Sequence, residues 1–337
     1  MNVALTNFEI KRADKMAREI IENLNLDLSG LTVLTEVGSR FFSLTPVIAL
    51  MAGADQVFAW TRDSIYGSAS DVINNCENVI ECLGVPGRVE FAANTRPREH
   101  VGRANIITNS GFLRPLDREL LSDANKGNVA IPLMYEKWEL RESEINIPFC
   151  REMNIPVGGT WENHPTLKVF DYCGNLAAKI CFEAGLEVRG NRAIVWSGDD
   201  FGKLAAEAFQ ALGAEQVTVT VEPSMLLDKA KHSDFIFFCD FHEQRPLLGE
   251  GGIIDIDELI ERNPAIKIVH LMGSVEAEFL RNHSIDFYPE MSGKPQTMTR
   301  TLAHLGPGPL IKLQTGGLRV AECLLRSIED PICQRIV

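Results

Sequence analysis

The sequence predicts an α/β protein of two Rossmann-like (flavodoxin-like) domains, each a doubly wound parallel sheet, with a ligand cleft between them. Short apolar runs of strand length alternate with amphipathic helical segments along the chain, as in a parallel sheet covered by helices on both faces. One succession (strand, glycine turn, helix, Gly-Ala, strand, acidic residue) occurs twice, at residues 33–64 and 193–224. The 337 residues, 45% of them hydrophobic, are enough for two cores.

The first half of the chain begins with an amphipathic segment at 8–26, whose apolar residues recur at helical spacing. Apolar runs predict strands at 31–37, 56–61, 89–93, 104–108 and 128–132. Helices are predicted between them at 44–52, 68–83 and 116–124, and a further helix at 167–184 would bridge to the second half. The alternation of strand and helix therefore continues through this half.

The second half opens on a strand at 193–196, a tight turn at 197–200, a helix at 201–212 and a strand at 216–221. The remaining predicted strands are 233–239, 266–271 and 284–288, and the remaining helices are 256–261, 275–281 and 310–326. We place the domains at residues 1–185, 186–305 and 306–337. The last stretch is predicted to be a helix that packs on the N-terminal domain or on a partner, which would make the protein a homodimer.

Charge and cysteine content narrow the class of protein. The net charge of −13 argues against non-specific binding to nucleic acid or to an anionic membrane, because both require basic surface. No apolar run reaches transmembrane length. The eight cysteines include no C-x-x-C pair and lie mostly in apolar runs, which predicts reduced, buried thiols in a cytoplasmic protein. We predict no metal site.

The turn that follows the strand at 193–196 predicts a nucleotide site, because the N-terminus of the next helix points at it. A full G-x-G-x-x-G fingerprint would place glycines at 197, 199 and 202, but the chain has Ser197, Asp199 and Gly202 there. Two adjacent carboxylates stand where a pyrophosphate would lie, so the alternative is a domain that has lost its cofactor. The predicted cofactor-binding residues are Ser197, Gly198, Asp199, Asp200, Phe201, Gly202 and, for the ribose, Glu222.

Polar residues that follow the other strands are candidates for substrate binding and catalysis, because ligands of such sheets bind at the carboxyl ends of strands. The alternative for each is a packing residue or a solvated charge. The candidates for substrate binding are Asn109, Ser110, Tyr135, Glu162, Asn163, Asp240 and His242. The candidates for acid–base catalysis are Glu136, His164 and His304.

Residues 104–202 resemble the D-2-hydroxyacid dehydrogenase (formate/glycerate dehydrogenase) superfamily. The resemblance is carried by Ile145-Asn146-Ile147, Asn154-Ile155-Pro156-Val157, Thr160, Val169-Phe170-Asp171 and Leu186-Glu187-Val188-Arg189-Gly190. It implies an oxidoreductase that transfers hydride between NAD or NADP and a small hydroxy or keto acid, with His304 at the position of the family's general acid/base. The family's catalytic arginine has no match, since Arg245 lies outside that motif.

A second resemblance concerns residues 33–115, which are similar to class I S-adenosylmethionine-dependent methyltransferases. It is carried by Glu36-Val37-Gly38, Arg62-Asp63 and Val89-Glu90-Phe91. It implies S-adenosylmethionine, or another adenosine ligand, in the N-terminal domain. The third hypothesis is a non-catalytic metabolite-binding relative of the dehydrogenases. It is favoured by the two missing glycines of the turn at 197–202, and by Arg40 and Phe42, which stand where the methyltransferase glycine loop has small residues.

Overall fold

The computed structural model describes residues 4–125 and 127–337, which form two compact units. Unit 1 comprises Met1–Phe170 and Gly306–Val337, and unit 2 comprises Asp171–Leu305. The sequence placed this boundary at 185, but helix α7 (Tyr172–Glu183) belongs to unit 2. It packs there against helix α8 (Asp200–Ala211) so closely that a Cβ on Gly174 would lie 2.8 Å from the Leu204 carbonyl oxygen.

Unit 1 is a mostly parallel sheet with helices around it. Its strands are β1 (Thr32–Glu36), β2 (Gln56–Thr61), β3 (Arg88–Ala93), β4 (Ile106–Ile107), β5 (Ile131–Pro132), β6 (Val157–Thr160) and β14 (Cys333–Arg335). Its helices are α1 (Asn7–Asn23), α2 (Leu44–Met51), α3 (Ala69–Leu83), α4 (Arg98–Val101), α5 (Arg118–Leu121), α6 (Ile147–Met153) and α12 (Pro307–Arg326).

The strand order of unit 1 defines where a ligand would bind. Strands β3-β2-β1-β4 pair in parallel, and bridges Ile106↔Ala130 and Asn109↔Leu133 continue the sheet to β5 and β6. Strand β14 closes the far edge in antiparallel pairing with β6. Strands β2 and β3 are added on one side of β1, and β4 and the strands after it on the other side. The carboxyl ends of β1 and β4 therefore form the switch point of the sheet.

Strand β6 is absent from the strands predicted for the first half of the chain, and two of its four residues, Gly158 and Gly159, are glycines. Glycine has a low propensity for strands, so the sequence pattern does not indicate a strand here. Glycine is needed at both positions because neighbouring atoms approach closely: a Cβ on Gly159 would lie 2.5 Å from the Lys137 nitrogen, and one on Gly158 would lie 3.1 Å from Val320. Val320 belongs to α12, which is largely buried within unit 1. The homodimer remains a prediction of the sequence.

Unit 2 contains a five-stranded parallel sheet of order β13-β11-β9-β7-β8 and a separate strand pair, β10-β12. The strands are β7 (Arg192–Trp196), β8 (Gln216–Thr220), β9 (Phe235–Phe238), β10 (Pro246–Leu248), β11 (Lys267–His270), β12 (Ser274–Val275) and β13 (Phe287–Tyr288). Besides α7 and α8, the helices are α9 (Pro223–Ala230), α10 (Ile256–Arg262) and α11 (Ala277–Asn282). This is the flavodoxin-like order, whose switch point lies between β7 and β9.

The fold class predicted from the sequence is confirmed: the protein is α/β with parallel, Rossmann-like sheets. Strand β9 shows why an unbroken apolar run indicated a central strand, since all four of its residues are buried. Phe209 of α8 packs edge-on against Phe235 and Phe237, with ring centroids 5.5 and 5.4 Å away. Across residues 4–125 and 127–337, no helix is both long enough and apolar enough to span a bilayer.

Gly202 allows α8 to start directly above β7, and this contact gives a first prediction. A Cβ at this position would lie 2.4 Å from Ser197 Cβ and 2.7 Å from Ser197 Oγ. Replacing Gly202 with alanine should therefore lower the free energy of unfolding by about 1–3 kcal/mol, measured by chemical denaturation. Lys203→Ala, on the same helical turn, is the control and should change it by less than about 0.5 kcal/mol. Equal stability of the two variants would contradict the prediction.

Candidate functional site

In unit 2 the turn between β7 and α8 (residues 197–202, hereafter the β7–α8 turn) is held by the carboxylate of Asp199. Its Oδ1 accepts hydrogen bonds from the Phe201 N–H at 3.0 Å and from Ser197 Oγ at 2.7 Å. Its Oδ2 accepts from the N–H of Phe241, 2.8 Å away in the loop after β9. Asp199 is the N-cap of α8, a position that favours aspartate because its oxygen satisfies a free helical N–H.

Asp240 makes the reciprocal contact from the loop after β9. Its Oδ2 accepts from the Gly198 N–H at 2.8 Å, and its Oδ1 accepts from the N–H groups of His242 and Glu243, both at 2.8 Å. Only 5% of Asp240 is exposed. The two aspartates therefore cross-link the loops that follow β7 and β9, which are adjacent strands at the switch point. We call this pair the carboxylate lock.

An open depression of about 480 Å³ lies beside the carboxylate lock, along α8. Residues 197–199 line it together with Lys203, Glu207 and Val219. Glu222, the predicted ribose ligand, is exposed at the N-cap of α9, and its side chain does not cap that helix. An acidic group with this freedom at the end of β8 can accept hydrogen bonds from ligand hydroxyls.

In unit 1 the carboxyl end of β1 presents Glu36. The Phe112 N–H donates to Glu36 Oε2 at 2.7 Å, and the carboxylate lies against Gly111, where any Cβ would overlap it. Burial raises the pKa of Glu36 to about 7, although the Phe112 hydrogen bond and the charges of Arg114 and Arg62 act to lower it. A carboxyl group with this pKa can accept or donate a proton near neutral pH.

Arg62 lies at the carboxyl end of the neighbouring strand, β2. Its guanidinium stacks on the Phe112 ring, 4.3 Å from the centroid. Within the part of the chain that the structure describes, Arg62 forms no salt bridge, and it is exposed to solvent. It therefore offers a full set of donors beside Glu36.

A second polar group at this edge joins Asn109, Tyr135, Glu144 and Arg114. The Tyr135 hydroxyl accepts from Asn109 Nδ2 and donates to Glu144 Oε2, and Arg114 binds Glu144 Oε1 at 2.6 Å. Burial and the Glu144 carboxylate raise the pKa of Tyr135. The structure thus brings the predicted residues Asn109 and Tyr135 together, while Ser110 bonds to Thr108 Oγ1 at 2.8 Å.

Three glutamates, the buried Glu136 and Glu162 and the half-buried Glu139, form a cluster that we call the glutamate cluster. Glu136 Oε1 accepts from the Glu162 N–H at 2.9 Å, and its Oε2 accepts from the Trp138 and Gln334 side chains. Burial, with the neighbouring negative charges, raises the pKa of Glu139 to about 7 and that of Glu162 well above its usual range. The cluster therefore holds protons at neutral pH.

Of the predicted site residues in this region, Glu136 and Glu162 lie together in the glutamate cluster, while His164 makes other contacts. His164 Nδ1 accepts from the Thr166 N–H at 3.3 Å, and its ring meets the Trp161 ring edge-on at 5.7 Å. Asn163 is exposed. In unit 2, His242 packs edge-on against Phe241 at 5.5 Å.

His304 has the acidic partner that sequence could not place. Its Nε2 lies 2.9 Å from both carboxylate oxygens of Glu183 on α7, and the Tyr288 hydroxyl donates to the same carboxylate at 3.0 Å. Burial acts to raise the pKa of Glu183, but these hydrogen bonds outweigh it and the pKa is lowered. Lys179 Nζ donates to the His304 carbonyl. The side chain of His304 therefore contacts α7 and not the β7–α8 turn.

Sequence reasoning missed Glu139 and Glu144 as members of polar sites, and it singled out Glu36 and Arg62 only as carriers of the methyltransferase resemblance. The signal for Glu36 and Arg62 was present, since Glu36 ends β1 and Arg62 directly follows β2. For Glu139 and Glu144 the signal is burial, which no local pattern reveals.

The fold defines a class, the two-domain Rossmann-like α/β proteins. A dipicolinate synthase chain from Bacillus halodurans superimposes with a TM-score of 0.53 at 10% identity, covering 89% of this chain and 98% of that one. TP0037 from Treponema pallidum, a D-lactate dehydrogenase, gives 0.51 at 11% identity, covering 83% and 99%. The resemblance to D-2-hydroxyacid dehydrogenases is confirmed as a likeness of fold. No family model and no curated protein matches the sequence.

The resemblance implies NAD or NADP, and the residues of unit 2 fit such a group only in part. Glu222 suits a ribose. The N–H groups of Gly198 and Phe201, which would meet a pyrophosphate, already donate to Asp240 and Asp199. The β7–α8 turn in this structure therefore does not fit the phosphates of a dinucleotide.

Proposed function

We propose that this chain is an oxidoreductase that acts on a small hydroxy or keto acid bound at the carboxyl edge of the unit 1 sheet. The observation that carries the proposal is that Arg62 and Glu36 lie on either side of Phe112: Arg62, which forms no salt bridge in the described chain, lies over the Phe112 ring, and Glu36, a carboxyl group of pKa about 7, accepts from the Phe112 N–H. A guanidinium binds a carboxylate through two parallel hydrogen bonds. The adjacent carboxyl group is then available for the substrate's hydroxyl or carbonyl oxygen.

The proton chemistry follows from the state of Glu36. In oxidation of a hydroxy acid, ionised Glu36 accepts the hydroxyl proton, and in reduction of a keto acid, protonated Glu36 returns it. NAD or NADP is the hydride carrier suggested by the likeness of fold, and Glu222 is the unit 2 residue that supports it. Since the β7–α8 turn does not fit a pyrophosphate, the proposal assigns only substrate binding and proton transfer to named residues.

Arg62 supplies the first test. Replacing it with alanine should weaken binding of the substrate carboxylate about 10- to 100-fold, because a charged hydrogen-bonded partner is lost. The measurement is calorimetric titration with glycolate, lactate, glycerate, malate, glyoxylate and pyruvate, with and without NAD(H). The matched control is Arg88→Ala, an exposed arginine at the amino end of β3 in the same sheet. The proposal fails if no acid of the panel binds the wild type, or if both variants bind alike.

A further inference from the structure

The carboxylate lock has a consequence for the ligand of unit 2. We infer that Asp199 and Asp240 close the β7–α8 turn to phosphate, so that the pyrophosphate of a dinucleotide does not bind at this turn. The inference does not depend on Glu36 or Arg62, and it concerns only which chemical group meets the turn.

The donors of the turn are already used. Asp199 and Asp240 together accept six hydrogen bonds: five from the backbone N–H groups of residues 198, 201, 241, 242 and 243, and one from the Ser197 hydroxyl. A phosphate gains its affinity for a helix N-terminus from such free N–H groups. Here a phosphate would first have to displace a carboxylate and leave the two loops without their cross-link.

The charges of the turn oppose an anion as well. Asp199, Asp200 and Asp240 place three carboxylates around it, and Glu207 adds a fourth along the depression, while Lys203 is the single cation among the residues that line it. Like charges a few ångströms apart repel one another more strongly near a protein surface than in bulk water. With four carboxylates and one cation nearby, a phosphate group therefore meets net repulsion.

The test uses Asp240→Asn in the full chain. An asparagine oxygen facing the N–H groups of His242 and Glu243 turns its NH₂ toward the Gly198 N–H, which frees that donor and removes one charge. The probes are inorganic pyrophosphate, ADP and adenosine. Binding is followed by calorimetry and by the amide resonances of Gly198 and Phe201 in ¹⁵N-labelled protein.

In the wild type we expect pyrophosphate to leave both amide resonances unchanged and ADP to bind no tighter than adenosine. In Asp240→Asn we expect pyrophosphate affinity to rise at least about tenfold, with a shift of the Gly198 resonance. Asp200→Asn, which removes an exposed charge and leaves the lock intact, is the control and should change affinity by about threefold or less. Asp199→Asn serves as the second variant if Asp240→Asn does not fold.

Two results would overturn the inference. One is a saturable shift of the wild-type Gly198 and Phe201 amides with pyrophosphate or ADP, together with ADP binding about tenfold tighter than adenosine. The other is a folded Asp240→Asn or Asp199→Asn that binds pyrophosphate no better than the wild type. Neither result bears on substrate binding by Arg62 or proton transfer by Glu36, so these two parts of the oxidoreductase proposal succeed or fail separately.

Discussion

Replacing Glu36 with glutamine should lower kcat/KM for oxidation of a hydroxy acid by about 10²- to 10⁴-fold, the range for loss of a general base. Glutamine keeps the size of the side chain and can still accept from the Phe112 N–H, so the change removes the titratable group alone. In the wild type, activity should be lost as the pH falls through about 7, because protonation removes the base. The pH–rate profile of wild type and variant gives the measurement.

Two controls test whether Glu36 itself is the base. The carboxyl ¹³C resonance of Glu36 should titrate with a midpoint of about 7 in the absence of any substrate. His304→Gln tests the proton carrier that the family resemblance favours, since Glu183 orients the His304 ring. If His304→Gln loses turnover and Glu36→Gln keeps it, the assignment to Glu36 is wrong.

Replacing Glu139 with glutamine should raise the free energy of unfolding at pH 8 by about 1–3 kcal/mol and leave it nearly unchanged at pH 4. Burial raises the pKa of Glu139 from 4.5 to about 7 in the folded protein. The folded state therefore holds a proton that the unfolded chain releases, so stability falls as the pH rises from about 4.5 to 7. Glutamine has no proton to lose and removes this fall, while its amide oxygen can still accept from the Glu136 N–H.

Urea denaturation of the wild type and Glu139→Gln at both pH values checks this prediction. Glu142→Gln, an exposed glutamate three residues further along, is the control and should follow the wild type at each pH. A Glu139→Gln variant less stable than the wild type at pH 8 would mean that the glutamate cluster is stabilising when charged.

Much of the fold could be predicted because its central strands are continuous apolar runs. Strand β9, predicted at 233–239, spans Phe235–Phe238, and α8, predicted at 201–212, spans Asp200–Ala211. Helix α12 begins three residues earlier than predicted because Pro307 and Pro309 fit its first turn. Strand β14 was missed because Cys333–Arg335 has no strand pattern of its own and is formed by its pairing with β6.

From the sequence, residues of the candidate sites could be predicted only where they come directly after a predicted strand. That rule found Asn109 with Tyr135, Glu136 with Glu162, and the two aspartates of the carboxylate lock. It could not give their bonding, since the Asp240–Gly198 contact spans 42 residues. The pKa of Glu36 depends on Phe112, 76 residues away, and on the absence of a side chain at Gly111. Such properties depend on tertiary contacts that the local sequence does not encode.

The discontinuity of unit 1 determines the order in which the protein can fold as it is made. Unit 1 takes residues from both ends of the chain, and α12 adds Ile311, Leu318 and Ala321 to its core while β14 adds an edge strand. Unit 2 is one continuous stretch, so its sheet can form before residues 306–337 have been synthesised. The N-terminal part of unit 1, although synthesised first, completes its core only after residues 306–337 have been added.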